Sequence, residues 1–459
     1  MTENCNFSSN KNYFGMVRSK YILGYIFNNI PIVQKLNAIR YNKNFQKKLN
    51  IDIKDYIREY LKIGIELVPE ENKYGKFVNI KYKKYCHIFF DNNIEEIKRV
   101  YITTKDKIRK IKIFIDYEIK SLNELFKGCV CIKSINFFRF NRTNIEIMSG
   151  MFLGCCNLRK INCSKFHTDN VTDMGRMFEG CSALEQINLD KFSTSNVTDM
   201  RRMFYNCISL NKILNISRLN TNKVENMNFM FCGCSSLIEL DLSHFDTSKV
   251  NDMRSMFQEC EELEVLNITG FDTKNVTYMI NMFYRCKSLK ELKINFNNNN
   301  ALNMRYMFYG CSKLKKLDLS NFNTDRVIDM NHMFCGCSSL EELNISNFNT
   351  ESVSDMNSMF LGCYTLKELN IVNFNTENVY DMSHMFCGCK SLKLLDLSNF
   401  NTDIVGNMDF MFYGCAKLEK LDLSNFNLKS CQNFKRALYY CNSLKKLIAN
   451  NENVESLLE

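Results

Sequence analysis

Thirteen cysteines keep one period. Cys129, Cys155, Cys181, Cys207, Cys234, Cys260, Cys286, Cys311, Cys337, Cys363, Cys389, Cys415 and Cys441 recur about every 26 residues, with one interval a residue longer and one a residue shorter. A fixed period of this length requires a stack of similar units, each too small to bury its own apolar face and each covered by its neighbours. The methionines repeat the period: of the 24, all but Met1 and Met16 fall in eleven Met-x-x-Met pairs, from Met148/Met151 to Met408/Met411. Leu122 and Leu125 replace the pair at one end, and Phe434 and Ala437 at the other, as expected of terminal units.

Within the unit Asn170 to Phe192, Val171, Met174, Met177 and Phe178 lie at positions 0, 3, 6 and 7. That spacing predicts a short helix with one apolar face. Asn170 would cap it, Asp173 would sit at its positive end, and Gly180 would supply the left-handed residue that stops it. Leu184-x-x-Ile187-x-Leu189 then predicts a strand with Ile187 and Leu189 inward and Gln186, Asn188 and Asp190 outward. Phe192 turns the chain back over the core. The expected fold is an α/β leucine-rich-repeat solenoid: one parallel β-sheet, short helices on the opposite side, and a small helical domain in front. With strands about 4.8 Å apart, the sheet would run continuously for roughly 60 Å.

The unit Val-x-Asp-Met-x-x-Met-Phe-x-Gly-Cys-x-x-Leu-x-x-Leu-Asp-Leu-Ser-x-Phe-Asn-Thr is near-verbatim from Val327 to Thr350 and from Val379 to Thr402. It resembles the 26-residue repeat of the BspA-like leucine-rich-repeat group of bacterial surface proteins, over residues 121–447. The resemblance implies a repeat fold with a binding role, in relatives that are often surface adhesins carrying a signal sequence and a lipid or wall anchor. Here the apolar stretch Tyr21 to Phe27 follows Arg18 and Lys20, but Asn28 and Asn29 interrupt it and no small-residue cleavage site follows. No stretch approaches the roughly 18 apolar residues of a membrane span. A cytoplasmic protein is expected, with a surface adhesin as the alternative.

Residues 1–120 hold 24 Lys/Arg against 13 Asp/Glu, so the array behind them is almost neutral. Residues 1–93 read as a basic helical domain. Ser19 would cap a helix with Ile22, Leu23, Ile26, Phe27 and Ile30 inward, Pro31 would open a second with Val33, Leu36 and Ile39, and Asp52 to Leu61 would make a third. The string Leu23-x-x-Ile26-Phe27-x-x-Ile30, then Leu36 and Tyr41-Asn42-Lys43, resembles an F-box, a helical adaptor that recruits ubiquitin ligases, although the leading Leu-Pro of that motif is missing. The resemblance implies an adaptor patch of Leu23, Ile26, Phe27 and Ile30 for the ligase linker. Residues 94–120, with Ile97-x-x-Val100-x-Ile102 and Ile108-x-x-Ile111-x-Ile113, are expected to cap the sheet, and residues 448–459 to form a tail.

The scattered lysines carry no arginine–aromatic pattern, which argues against a nucleic-acid partner. Cysteines on in-register rungs point the same way and are expected as free thiols. Cys-Gly-Cys at Cys232/Cys234, Cys335/Cys337 and Cys387/Cys389 has no second ligand pair, and His332 and His384, two rungs or about 10 Å apart, cannot share an ion. No metal or cofactor is therefore expected. No nucleophile, base or phosphate loop breaks the repeat, so the chain is not expected to be an enzyme. Binding information falls to the outward strand columns: Asn188, Asp241, Asn267, Asp318, Asn344, Asn370, Asp396 and Asp422, beside Asp190, Ser243 and Ser320. They form a polar face for protein partners, with ladder formation inside the sheet as the competing role. Two irregular rungs can mark docking points: Leu210 to Leu219, with one extra residue, and Asn295 to Ala301, with an asparagine run.

Overall fold

A unit this short has more backbone donors and acceptors than it can pair within itself, and where those groups go decides its conformation. In the segment expected to be helical, Met174, Arg176, Phe178 and Gly180 donate their N–H groups to the carbonyls of Asp199, Arg201, Met203 and Tyr205 in the next rung, at 2.7–3.2 Å. Met177, Glu179 and Cys181 donate instead to Met174, Arg176 and Phe178, closing three-residue turns at 3.0–3.3 Å. Arg176 and Gly180 both have left-handed backbone, φ +58° and +72°, which a right-handed helix cannot contain. The expected helix is thus a stack of tight turns. A helix this short would leave its end N–H and C=O groups unpaired, whereas the neighbouring rungs satisfy them. The inward residues are as expected: Val171, Met174, Met177, Phe178 and Cys181 are all fully buried.

The structure is a computed structural model and describes residues 19–449 apart from 31–33, 36, 37, 40, 41, 51, 298, 299, 432, 433 and 435. Among these residues the array holds no α-helix. Its longest hydrogen-bonded ladder lies on the turn side, where single parallel bridges link Ser121, Ile147, Asp173, Asp199, Asn226 and so on to Asn407 without a gap. The strand side is interrupted, contrary to the continuous sheet expected. Gln186–Asn188 pairs with Lys212–Leu214, Glu239–Asp241 with Val265–Ile268 and then Glu291–Ile294, Lys316–Asp318 with Glu342–Asn344, and Lys420–Asp422 with Lys446–Ile448. The fold is a β-solenoid of about a dozen leucine-rich-repeat-like turns.

Three ladders run through its interior. Phe126, Phe152, Phe178, Phe204, Phe231 and Phe257 begin a column of nearly parallel rings, 5.3–5.8 Å apart, that continues to Phe412. Beside it each column cysteine from Cys155 on donates its thiol to the phenylalanine carbonyl of the rung before, as Cys181 does to Phe152 at 3.2 Å and Cys363 to Phe334 at 3.3 Å. These thiols are free, as expected. The third ladder is buried threonine. Thr350 Oγ1 donates to the Asn375 carbonyl at 2.7 Å and accepts the Asn375 N–H at 2.8 Å, and Thr324, Thr376 and Thr402 repeat the pair.

In front of the array the helical segment ends sooner than expected. Helices α1 (Lys20–Asn29), α2 (Lys43–Leu49) and α3 (Ile53–Leu61) are followed by strand, not helix. Ser19 caps α1 as predicted, and Asp52, expected inside the third helix, is the cap of α3. The second expected helix, with Pro31, Val33 and Leu36, falls largely outside the described residues. Strands β1 (Ile63–Pro69), β2 (Gly75–Lys76), β3 (Cys86–Phe90), β4 (Tyr101–Ile102) and β5 (Ile111–Ile115) lead into β6 (Ile132–Arg139), the first rung's strand, and β7 (Lys160–Asn162). The sheet order is β3-β5-β1-β6-β7, with β1 antiparallel to both β5 and β6. Residues 94–120 contribute β4, which pairs with β2, and β5, which pairs with β1 in an antiparallel layer that begins at Ile63.

Replacing Thr350 with the near-isosteric Val removes a hydroxyl that serves two buried backbone groups, and should cost about 2–4 kcal/mol. Faster amide exchange around Asn375 and a lower urea midpoint are expected; an unchanged midpoint would show that the threonine ladder carries no stability.

Candidate functional site

The outward strand column is placed as expected, with Asn188, Asp241, Asp318, Asn344, Asn370 and Asp396 exposed and Asn267 and Asp422 partly so. Half of its hydrogen-bonding capacity is already used. Each side-chain oxygen accepts the N–H two residues on: Asp190 donates to Asn188, Ser243 to Asp241, Ser320 to Asp318 and Ser398 to Asp396, at 2.9–3.0 Å. Asn267, Asn344, Asn370 and Asp422 do the same at 3.1–3.3 Å. These turns end each strand, so the column's regularity is in good part structural. The bonds to Ser243, Ser320 and Ser398 hold the carboxyls of Asp241, Asp318 and Asp396 below their ordinary value. Asp190, Ser243 and Ser320 are half-buried, and Asp190 also pairs with Arg218 at 3.2 Å.

The column lines shallow hollows. One of about 740 Å³ is bordered by Asp318 and Asn344 with Lys316 and Glu342, and one of about 310 Å³ by Asp396, Asp422 and Leu394. A third, about 750 Å³, contains Asp241 and Ser243 and opens at the rung with the extra residue. That residue is absorbed where Asn215 turns left-handed, φ +59°, before a short 3-10 turn from Ile216 to Arg218.

The four residues of the expected adaptor patch do not lie together on the surface. Leu23 and Phe27 are each 1% exposed and pack with Ile39 in a small core of their own, while Ile26 and Ile30 are half-buried. Ile22, expected inward, is 56% exposed.

The turn side holds a second polar column that periodicity had assigned to a helix. Asp173, Asp199, Asp252, Asp329, Asp355 and Asp381 stand in the bridge ladder, sharing it with Asn226, Asn303 and Asn407. Each oxygen again accepts an N–H two residues on, as Asp329 does from Asn331 at 3.0 Å. Here burial wins: it raises the carboxyls of Asp199 and Asp329, and the Asp355 carboxylate one rung away adds to the rise at Asp329. Among the described residues no three His, Cys, Asp or Glu side chains are placed to hold a metal ion. His332 and His384 stack on Tyr306 and Phe410, at 4.7 and 5.0 Å, and His332 is half-buried, not a plain surface histidine.

The same side carries arginines laid on aromatic rings, as Arg99 lies on Phe90 in the head. Arg202 lies 4.9 Å from the Phe229 ring, Arg254 4.9 Å from Tyr278, Arg285 5.3 Å from Tyr284 and Arg305 5.1 Å from Tyr306. Arg285 and Arg305 meet rings next to them in the chain, whereas Arg202 and Arg254 meet rings about one period on, which alignment of the units in register brings together.

A solenoid of short, regular rungs with two polar edges defines a repeat protein of the leucine-rich kind. The chain belongs to the family described as "Mycoplasma protein of unknown function, DUF285", which matches residues 120–217, 212–317, 290–370, 308–394 and 364–458. No curated protein matches it. Among solved structures it is similar to a leucine-rich repeat protein from Bacteroides ovatus, with 22% identity over 76% of this chain and 90% of that one, TM-score 0.36. It is also similar to a leucine rich cell surface protein from Faecalibacterium prausnitzii, with 15% identity over 71% and 85%, TM-score 0.31. Among the described residues no helix is long and apolar enough to cross a membrane.

The raised carboxyl of Asp329 has a measurable sign. A carboxyl whose folded pKa lies above its unfolded value destabilises the fold once ionised, and the penalty fades as pH falls below the unfolded range. Asp329→Asn keeps the turn, as Asn303 does, and removes the charge. Thermal melting should show the variant more stable than the wild type near pH 7 and equal to it near pH 3; equal stability at both would refute the burial argument.

Proposed function

We propose that the protein is a non-catalytic scaffold that holds a protein partner on the strand side of its array. The observation that carries this reading is the hollow at Leu394. This leucine is 66% exposed on the outer face, beside Asp396 and Asp422, and Val372 one rung before is 45% exposed. Apolar anchors among charged neighbours are what a protein interface concentrates at its centre, with polar groups at the rim. Toward the middle of the array the same face alternates Lys316, Glu342 and Glu368 around its hollow, a surface suited to charge-matched contacts. The many free thiols fit a reducing compartment, so the partner is sought in the cytoplasm.

The test is affinity capture from the source cells with the full chain and with Leu394→Asp, followed by surface labelling of intact cells. At least about a tenfold loss of specific partners is expected in the variant, the scale of one buried anchor. Capture that is indifferent to Leu394, or to removal of residues 121–447, would overturn the scaffold reading. Labelling of the protein on intact cells would move it to the exterior.

A further inference from the structure

On the turn side, away from the strand face, the rungs ending at Cys286 and Cys311 are separated by the one short interval of the array. They sit closer than elsewhere: Phe283 and Phe308 are 5.1 Å apart and tilted by 15°, against 5.8 Å and 3° for Phe257 and Phe283. Their turns bring four rings together. Tyr284 stacks on Tyr309 at 4.9 Å, Tyr306 stacks on His332 at 4.7 Å, and Tyr306 meets Tyr309 edge-on at 5.6 Å. With Gln258, Glu259 and Asn281 they border an open hollow of about 610 Å³.

Three features bear on what this hollow can hold. Asn281 Oδ1 and His332 Nδ1 are shielded from solvent, yet among the described residues neither has a hydrogen-bond partner. An unpaired buried polar atom is costly unless something else satisfies it. The charges are also unspent. Arg176, Arg201 and Arg254 are paired with Glu179, Asp199 and Asp252 at 2.8, 3.2 and 2.7 Å, whereas among the described residues Arg285, Arg305 and Glu259 have no ion-pair partner. Finally, Tyr306 and His332 stand in the left-handed column of the rung, φ +57° and +55°, which also carries Arg202, Phe229, His384 and Phe410 in other rungs, so this column points large side chains over the turn face.

The geometry and chemistry define a ligand class. A shallow, open hollow walled by rings and planar polar groups suits neither a greasy cofactor, which needs enclosure, nor a lone ion. A pyranose has a C–H face that lies on an aromatic ring and equatorial hydroxyls that pair with amide, carboxylate and guanidinium groups. Arg305 borders the hollow and has no ion-pair partner among the described residues, which favours a sugar bearing a carboxylate. A nucleic-acid strand needs a run of unpaired cations along its backbone, and on this face most arginines are already neutralised.

We propose that the hollow formed by Tyr284, Tyr306, Tyr309, His332, Asn281 and Arg305 is a carbohydrate site that takes an acidic pyranose. The sugar ring packs on the tyrosine corner, its carboxylate faces Arg305, and its hydroxyls pair with Gln258, Glu259 and Asn281 at the rim. Burial disfavours protonation of His332, which keeps its ring neutral beside Tyr306.

Saturation-transfer NMR and calorimetry with 3′-sialyllactose, digalacturonate and lactose test this on the full chain. Binding of an acidic sugar with Kd in the range of about 0.1–1 mM is expected, at least about tenfold tighter than lactose. The variant Tyr306→Ser, Tyr309→Leu installs the residues that the rung ending at Cys363 carries in those columns, Ser358 and Leu361, and should abolish binding with little change in melting temperature. If that variant unfolds, Tyr306→Gly alone decides, since it relaxes the backbone while removing the ring. The proposal is overturned if the wild type binds no acidic sugar at about 5 mM, if the folded variant binds as the wild type does, or if a uridine oligonucleotide binds in preference, with steep salt dependence.

Discussion

The structure depends on backbone hydrogen bonds passed from rung to rung. A single rung pairs only part of its own N–H and C=O groups, and the remainder are met by the neighbour: Phe178 donates to Met203, Phe204 to Met230, Phe231 to Met256. Once the rungs are held at that spacing, every side-chain position becomes a column. The phenylalanines stack, the cysteine thiols reach the carbonyls behind them, and the threonines bridge forward. Each column is a consequence of register, and each in turn resists slippage, because a shift of one residue would replace an apolar ring by a polar group in the same slot.

The period, the inward residues and the free thiols were legible because they rest on side-chain burial, which the identity of Cys181, Met174 and Leu189 states directly. The conformation between them was not. A three-residue spacing of apolar side chains serves a helix and a chain of tight turns equally well, and only the left-handed backbone at Arg176 and Gly180 distinguishes them. The threonine ladder was missed for a related reason: Thr168 and Thr350 follow Phe-x in what reads as a solvent turn, yet both are buried. Tyr284 and Tyr309, or Tyr306 and His332, lie one period apart in the chain, so their stacking could be found by aligning the units but not by any local pattern.

An array of parallel strands must end without exposing a pairing edge. Here β1, antiparallel to the first rung's β6, covers that edge and continues into β5 and β3. Arg142 occupies the position where later rungs place the ladder threonine. It donates to the Asp116 carbonyl at 2.8 Å from a buried site, and burial lowers its affinity for a proton, to a pKa of about 10. A guanidinium reaches where a hydroxyl would not, which joins the array to a layer of different geometry. The apolar interior accordingly runs unbroken from Ile63 to Leu438, while Leu23, Phe27 and Ile39 form a separate core in the helical segment.

The two polar edges differ in what they have left to offer. On the strand side each Asx oxygen accepts the N–H of its own turn, some accept a second bond from a neighbour, as Asn188 does from Asn215, and the accepted bonds hold the Asp318 carboxyl below its ordinary value. On the turn side burial raises the carboxyls of Asp199 and Asp329, while at Asp252 burial is outweighed by bonds from Arg254 and Asn228, which lower its carboxyl, so the compensating arginines are shared out unevenly. Arg254 sits on Asp252, but Arg305 rests on a tyrosine ring. A column repeated a dozen times satisfies itself, rung against rung. Recognition is therefore sought where the repetition fails to close its own hydrogen bonds, and on this face that place is the short rung between Cys286 and Cys311.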